Sequence, residues 1–164
     1  MAQSEQDRNR SKLQGFLEDK LKWHDYTHLV VADDDMAPST WFLHTIGLAR
    51  DGQPELIITG TLDHTLAMDV ISDVVAYGRH QDGGLADGLH PGDAVRIPVM
   101  LRDVSTPFVL TQRVAQASSR FGASLRVLQI VWADAAGRFP DDAAYDQAGS
   151  PQQMLWQPPG TAHA

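Results

Sequence analysis

Arg138 lies in the stretch VWADAAGRFPDDAAYD, with Asp134, Asp141, Asp142 and Asp146 around it. A guanidinium presents five donors in a planar fork, so this grouping has two chemical uses. It can clamp the C-terminal segment onto the domain through its own carboxylates, or it can be held rigid to receive an anionic group. The turn itself needs no ligand: Val131 and Trp132 finish a strand, Asp134 can accept backbone N–H groups, and Gly137 supplies the positive φ of a tight reversal. The aspartates do not make a calcium loop, because the alternating Asp/Asn ligands and distal glutamate of an EF-hand are missing.

The histidines come next. His44, in TWFLHTIGL, shares a strand face with Phe42 and Ile46. An imidazole on such a face is either a hydrogen-bonded core residue or an acid–base group, and His44 is the first candidate for a catalytic or axial-ligand role. His24 and His28 are four apart, the spacing of two ligands on one helix face. His28 reads as strand, however, where four residues span about 13 Å, too far for one ion, so no metal site is expected. His64 falls in the first turn of a helix, where the dipole favours the neutral imidazole that could accept a proton or bind a metal, against a default reading as an exposed surface residue. His80 and His90 bracket GGLADG in the longest loop, a lid if a pocket lies beneath it. Asp63, Asp69 and Asp73 fall on the polar side of their helix and read as solubilising.

Composition narrows the field. With no cysteine, disulfides, thiolate catalysis and Cys-ligated zinc or iron–sulfur sites are excluded. Thirteen basic side chains against 21 acidic ones leave a formal charge of −8, which repels a phosphate backbone, so nucleic acid is not an expected partner. The N-terminal MAQSEQDRNRSKLQG lacks the apolar segment of a secretory signal, and no window approaches the length of a membrane span, so a cytoplasmic protein with no membrane partner is expected. Nucleotide-binding, dinucleotide-binding, serine-hydrolase and zincin motifs are missing, and the sequence leaves the cofactor unknown.

The elements that position these residues follow from periodicity. Leu13, Phe16, Leu17 and Leu21 form a helical stripe, giving an amphipathic helix over 1–22. YTHLVVA and TWFLHTIGL flank the turn DDDMAPS and predict a hairpin, and LIITG a third strand. The clearest helix has Thr61 as its cap, a stripe of Leu66, Val70, Ile71, Val74 and Tyr77, and Gly78 at its end. A strand, helix and strand in succession favour a right-handed crossover. VRIPVMLRDV alternates as an edge strand because of Pro98, residues 105–122 read as one shorter helix begun by Thr106 and Pro107, and SLRVLQIVWAD is the last strand. The expected fold is α+β: a core over 23–146 with a mixed, mainly antiparallel five-stranded sheet and about three helices, a small split barrel being the alternative. Residues 147–164, rich in Pro, Gly and Gln, read as a mobile tail, although Met154, Leu155 and Trp156 could tuck onto the domain.

With the strands placed, WFLHTIGL, QPELIITG and VWADAAGRFPDDAAYD resemble a bacterial family known as domain of unknown function 4262, from about Trp23 to Asp146. Its members carry a Tyr-Thr/Ser-hydrophobic-Gly-Leu strand, a Gly-His-Pro-Glu-Leu turn and a Trp-Pro-Asp-x-x-Gly-Arg-Phe-Pro-Trp ending. Thr45, Gly47, Leu48, Pro54, Glu55, Leu56, Trp132, Asp134, Gly137, Arg138, Phe139 and Pro140 match. His44, Gln53, Ala133 and Asp141 stand where tyrosine, histidine, proline and tryptophan are usual. The resemblance implies the fold and brings no activity with it.

Two functions follow as expectations. One is a small-molecule binding or processing domain with a pocket between the sheet and the 61–77 helix. His44 would be its polar centre, Arg138 would orient an anionic ligand, and Trp41, Thr45, Glu55, His64, Trp132 and Asp134 would complete the binding set. The other is a non-enzymatic interaction or regulatory module, with the Pro98 edge strand or the Met154–Trp156 patch as the surface for a homodimer.

Overall fold

Alternating and near-continuous apolar strands need helices on both faces of a sheet, and that is how the chain folds. The computed structural model describes residues 2–122 and 124–157. Helix α1 (Ala2–Trp23) leads into β1 (Thr27–Val31), β2 (Phe42–Ile46), β3 (Glu55–Thr59), α2 (His64–Arg79), β4 (Val99–Asp103), α3 (Pro107–Gln112), α4 (Ala115–Phe121) and β5 (Val127–Trp132). The strands lie in the order β1-β2-β3-β5-β4 in one open sheet, so no barrel forms. Only β3–β5 is parallel; β1–β2, β2–β3 and β4–β5 are antiparallel. The domain is α+β, with four helices among the described residues.

One face carries Leu43, Leu56, Ile58, Val99, Leu101, Leu128, Ile130 and Trp132 against Ala67, Val70, Ile71, Val74 and Val75 of α2. The other places Phe42, Ile46, Ile57 and Val127 against Leu17 and Leu21 of α1, Val109 of α3 and Ala117 of α4. Each fully buried Val, Leu, Ile or Phe among them contributes about 1.5–3 kcal/mol of transfer free energy, and this two-sided core fixes the register.

Local chemistry moved several expected boundaries. The cap of α2 is Asp63, whose carboxylate accepts from Leu66 N–H at 3.1 Å, rather than Thr61. Gly78 lies inside the last turn instead of ending it: a Cβ there would stand 2.8 Å from Leu85 Cγ, so glycine lets the loop pack on the helix. The predicted 105–122 helix breaks at Arg113–Val114, where Val109 O accepts both N–H groups and buried Val114 turns into the core. β4 begins only after Pro98, which cannot donate to a ladder. Ahead of it Arg96 docks on α2, bonding Asp73 at 2.8 Å and Asp69 at 3.1 Å, so these aspartates do more than solvate the helix. The strand after α2 is not a parallel crossover neighbour of β3; that place belongs to β5. On α1, Phe16 leaves the expected buried stripe and is 50% exposed, with Lys20 Nζ 5.5 Å from its ring centre.

Residues 150–156 run back across the sheet with Gln152, Met154 and Leu155 buried. Two buried glutamines hold them. Gln129 donates to Gln153 O at 2.7 Å and accepts from Leu155 N–H at 2.9 Å, while Gln152 donates to Trp132 O at 2.6 Å. The rest of the segment set apart as a tail, residues 158–164, lies outside the described residues.

Candidate functional site

The residues matched to the family phrases build two buried carboxylate anchors. Glu55, at the start of β3, accepts from the Thr45 hydroxyl at 2.5 Å and from Gly47 and Ala49 N–H at 2.9 and 3.1 Å. Thr45 Oγ1 in turn accepts from Leu56 N–H at 2.9 Å. Thr45 and Glu55 thus lock the β2–β3 connection, which Gly47 enters with φ 124°, its missing Cβ leaving room for Asp25 O. Asp134 is the second anchor. Its fully covered side chain accepts from Ala136, Arg138 and Asp146 N–H at 2.9–3.0 Å and from Arg138 Nε at 3.0 Å. Burial alone would raise its carboxyl, but these donors together hold it below the ordinary carboxylate range. Arg138 is therefore joined to Asp134, while the Asp142 and Asp146 carboxylates accept from Ala144 and Gly149 N–H.

His44 adjoins Thr45 but bonds neither anchor carboxylate. It lies mid-sheet opposite Leu29 and Ile57, 2% exposed, and Nδ1 donates to Thr45 O at 3.0 Å. Burial pushes its pKa down to about 4, the Thr45 carbonyl opposing and nearby His28 assisting. A base of that strength takes up a proton poorly at neutral pH. Its ring stacks on Phe42 at 6.1 Å, and Arg113 lies over Phe42 and Phe108 at 5.5 and 4.8 Å.

The remaining candidates are dispersed. Trp132 Nε1 donates to Thr59 O at 2.9 Å, and Trp41 Nε1 to Asp33 O at 3.1 Å. His64 lines a gap between the sheet and α2 with Leu43, Ile58 and Ala67, whose volume of about 10 Å³ matches a single water. His80 caps α2 by bonding Ala76 O at 2.8 Å, and His90 packs edge-on against Phe139 at 5.4 Å. Thr45 with Glu55 and Asp134 with Arg138 are thus brought together, whereas His44, His64, Trp41 and Trp132 converge on neither pair. Among the described residues, no group of three or more His, Asp or Glu is placed to hold a metal ion. No helix of the described residues is long and apolar enough to cross a membrane.

Sequence chemistry missed the flank of the sheet. β1 is an outer strand, and along it Val30 and Val31 are 45% and 36% exposed, with Trp23 80% exposed at its entry. Lys20, His24, Asp25, Tyr26, Thr27 and His28 line a groove of about 380 Å³ beside the strand's start. At its other end Asp33, Asp34 and Asp35 are exposed. The only signal for this region in the sequence is the juxtaposition LVVADDD, an apolar pair running into an acidic run. The histidines of the groove, His24 and His28, drew notice only as a metal pair, not as part of a sheet edge.

No curated protein and no solved structure matches the chain. A family model does match, over residues 21–146 and including both carboxylate anchors, and the chain belongs to the family described as Domain of unknown function (DUF4262).

Proposed function

We propose that the protein is a non-enzymatic interaction module that takes its partner by strand addition along β1. The observation that carries this reading is the state of that edge. Among the described residues no group bonds the outward amides and carbonyls of Thr27–Val31, and at its far end Val30 and Val31 are apolar and exposed. An unpaired ladder beside exposed Val30, Val31 and Trp23 is the surface that strand addition uses: main-chain bonds supply affinity and alternate side chains supply selectivity. Polar groups that would serve a reaction are engaged internally, Glu55 by three donors and Arg138, through its Nε, by Asp134.

The test is a peptide copying residues 26–32, titrated into the isotopically labelled protein and followed by amide chemical shifts. Shifts should concentrate on Thr27–Val31 and leave Val99–Asp103 unchanged. Binding that spared β1, or no binding at millimolar peptide, would remove the reading.

A further inference from the structure

Resting on strand addition at β1, we infer that the partner is a second copy of this chain, its β1 running antiparallel to the first across a two-fold axis. A two-fold interface must be self-complementary, because the same patch meets itself in reverse. The β1 flank has that property in its charges. The Thr27 end carries Lys20, which lines a groove with His24 and His28, and Lys22 in the adjoining groove. The Val31 end runs directly into Asp33, Asp34 and Asp35.

Among the described residues neither the two lysines nor the three aspartates enter an ion pair. Other charges at the Thr27 end are already engaged or offset: Asp25 bonds Arg79 at 2.9 Å, Arg50 donates to Leu21, His24 and Asp25 carbonyls, and Asp51 shares the groove of Lys22. Antiparallel pairing sets the basic end of each copy beside the acidic end of the other, twice by symmetry. Parallel pairing would stack acid on acid in a chain whose net charge is already −8.

Apolar placement follows the same axis. Trp23 stands at the Thr27 end and Val31 at the other, so reversal brings each exposed indole to the end where the other copy exposes Val31. The five residues of β1 form a short ladder, and Trp23 and Phe16 extend the buried area beyond it. The product is one continuous ten-stranded sheet with the β4 edges outermost, since each copy contributes five strands.

Sedimentation equilibrium of the whole chain across a concentration series tests this. The expected mass is twice 18.0 kDa, with association weakening as salt rises. Asp33→Lys with Asp34→Lys should weaken self-association about 10-fold, and so should Lys20→Glu with Lys22→Glu. Mixing the two variants should restore a dimer tighter than either forms alone. Unchanged far-UV circular dichroism would show that both variants fold, and Val30→Glu supplies a dimer-breaking change that leaves both charge clusters intact. A wild-type monomer at every concentration, or a mixture no tighter than its parts, would overturn the inference. If the residue 26–32 peptide still bound β1 in that case, strand addition would stand with a different protein as partner; if it did not, both would fall.

Discussion

At the β4 edge of the sheet, Gly88 N–H donates to Leu101 O at 2.7 Å, Leu101 N–H to Leu89 O at 2.9 Å, and Asp103 N–H to the Asp87 carboxylate at 2.7 Å. At the β1 edge the corresponding outward groups meet no partner among the described residues. Both strands are five residues long and both come after a helix in the chain, so neither strand length nor element order explains the difference. The segment after α2 does. Residues 80–98 fold back over β4, and buried Leu85 keys them under Gly78. Exposed edges invite unwanted pairing, and proteins ordinarily blunt them with proline, lysine or a covering loop. The protein covers one edge and leaves on the other a strand with exposed valines and neither Pro nor Lys within it. A fold that covers one edge and, among the described residues, leaves its counterpart bare makes the bare one a candidate for use.

The largest expected effect comes from unkeying the cover. Leu85→Ala removes a side chain 3% exposed from the α2 core and should destabilise the domain by about 3–4 kcal/mol, read from urea unfolding. Hydrogen exchange at Leu101 should quicken in the variant while β1 amides stay as they were. A Leu101 amide that remained protected would show that the loop holds the edge without its buried anchor.

Acid should separate the two sides of the sheet in the same way. His28 and His44 lie on β1 and β2, and burial lowers the pKa of both, His44 to about 4; no histidine lies on β4 or β5. Above the unfolded value of about 6.5 both states are neutral and the histidines leave stability unaffected. As pH falls below it the unfolded chain takes up protons that the folded chain refuses, so stability is lost down to the folded pKa. For His44 alone the loss between pH 6.5 and 4 is about 3 kcal/mol. Asp134 and Asp73 act in the opposite window: their lowered carboxyls hold stability that disappears only as pH falls below the ordinary carboxylate range. Amide exchange at pH 5 should therefore open β1 and β2 before β4 and β5, and His44→Leu should flatten the profile above pH 4. Equal loss across all five strands would mean that the histidines do not set the acid response.

These differences also show what the chain discloses in one dimension. The strands, the α2 stripe and the mixed sheet were legible because Val70, Ile71 and Val74 repeat at helical spacing and LIITG and VLQIVW read as buried strands. Asp134 was legible as a turn acceptor, since an aspartate three residues ahead of a glycine has few other uses. Strand order was not legible, because β3 pairs with β5, far along the chain, and nothing local records that contact. The buried roles of Gln129 and Gln152 were hidden for the same reason: their partners, Gln153 and Leu155 for the first and Trp132 for the second, are distant in sequence. Edge identity depends on strand order, so the open flank of β1 could not be recognised before the sheet was assembled. Residue chemistry pointed to His44 and Arg138, but an interaction surface is defined by which groups are left unpaired, a property of the whole fold.

The smallest effect distinguishes how the β4 cover is fastened at its margin. Asp87 is an exposed carboxylate that accepts from Asp103 N–H at 2.7 Å and lies 3.5 Å from Arg102 Nε. An exposed ion pair at that distance contributes little, so the backbone bond should dominate, and Asp87→Ala should cost about 1 kcal/mol. Asp87→Asn keeps an acceptor and loses the charge, so it should retain most of that stability in thermal melts. Equal losses in the two variants would assign the contribution to charge instead. Neither change should alter self-association if β4 is closed and β1 is the surface used. A rise in association with Asp87→Ala would show that the bond keeps the β4 edge from pairing, and that this edge, once exposed, competes with β1.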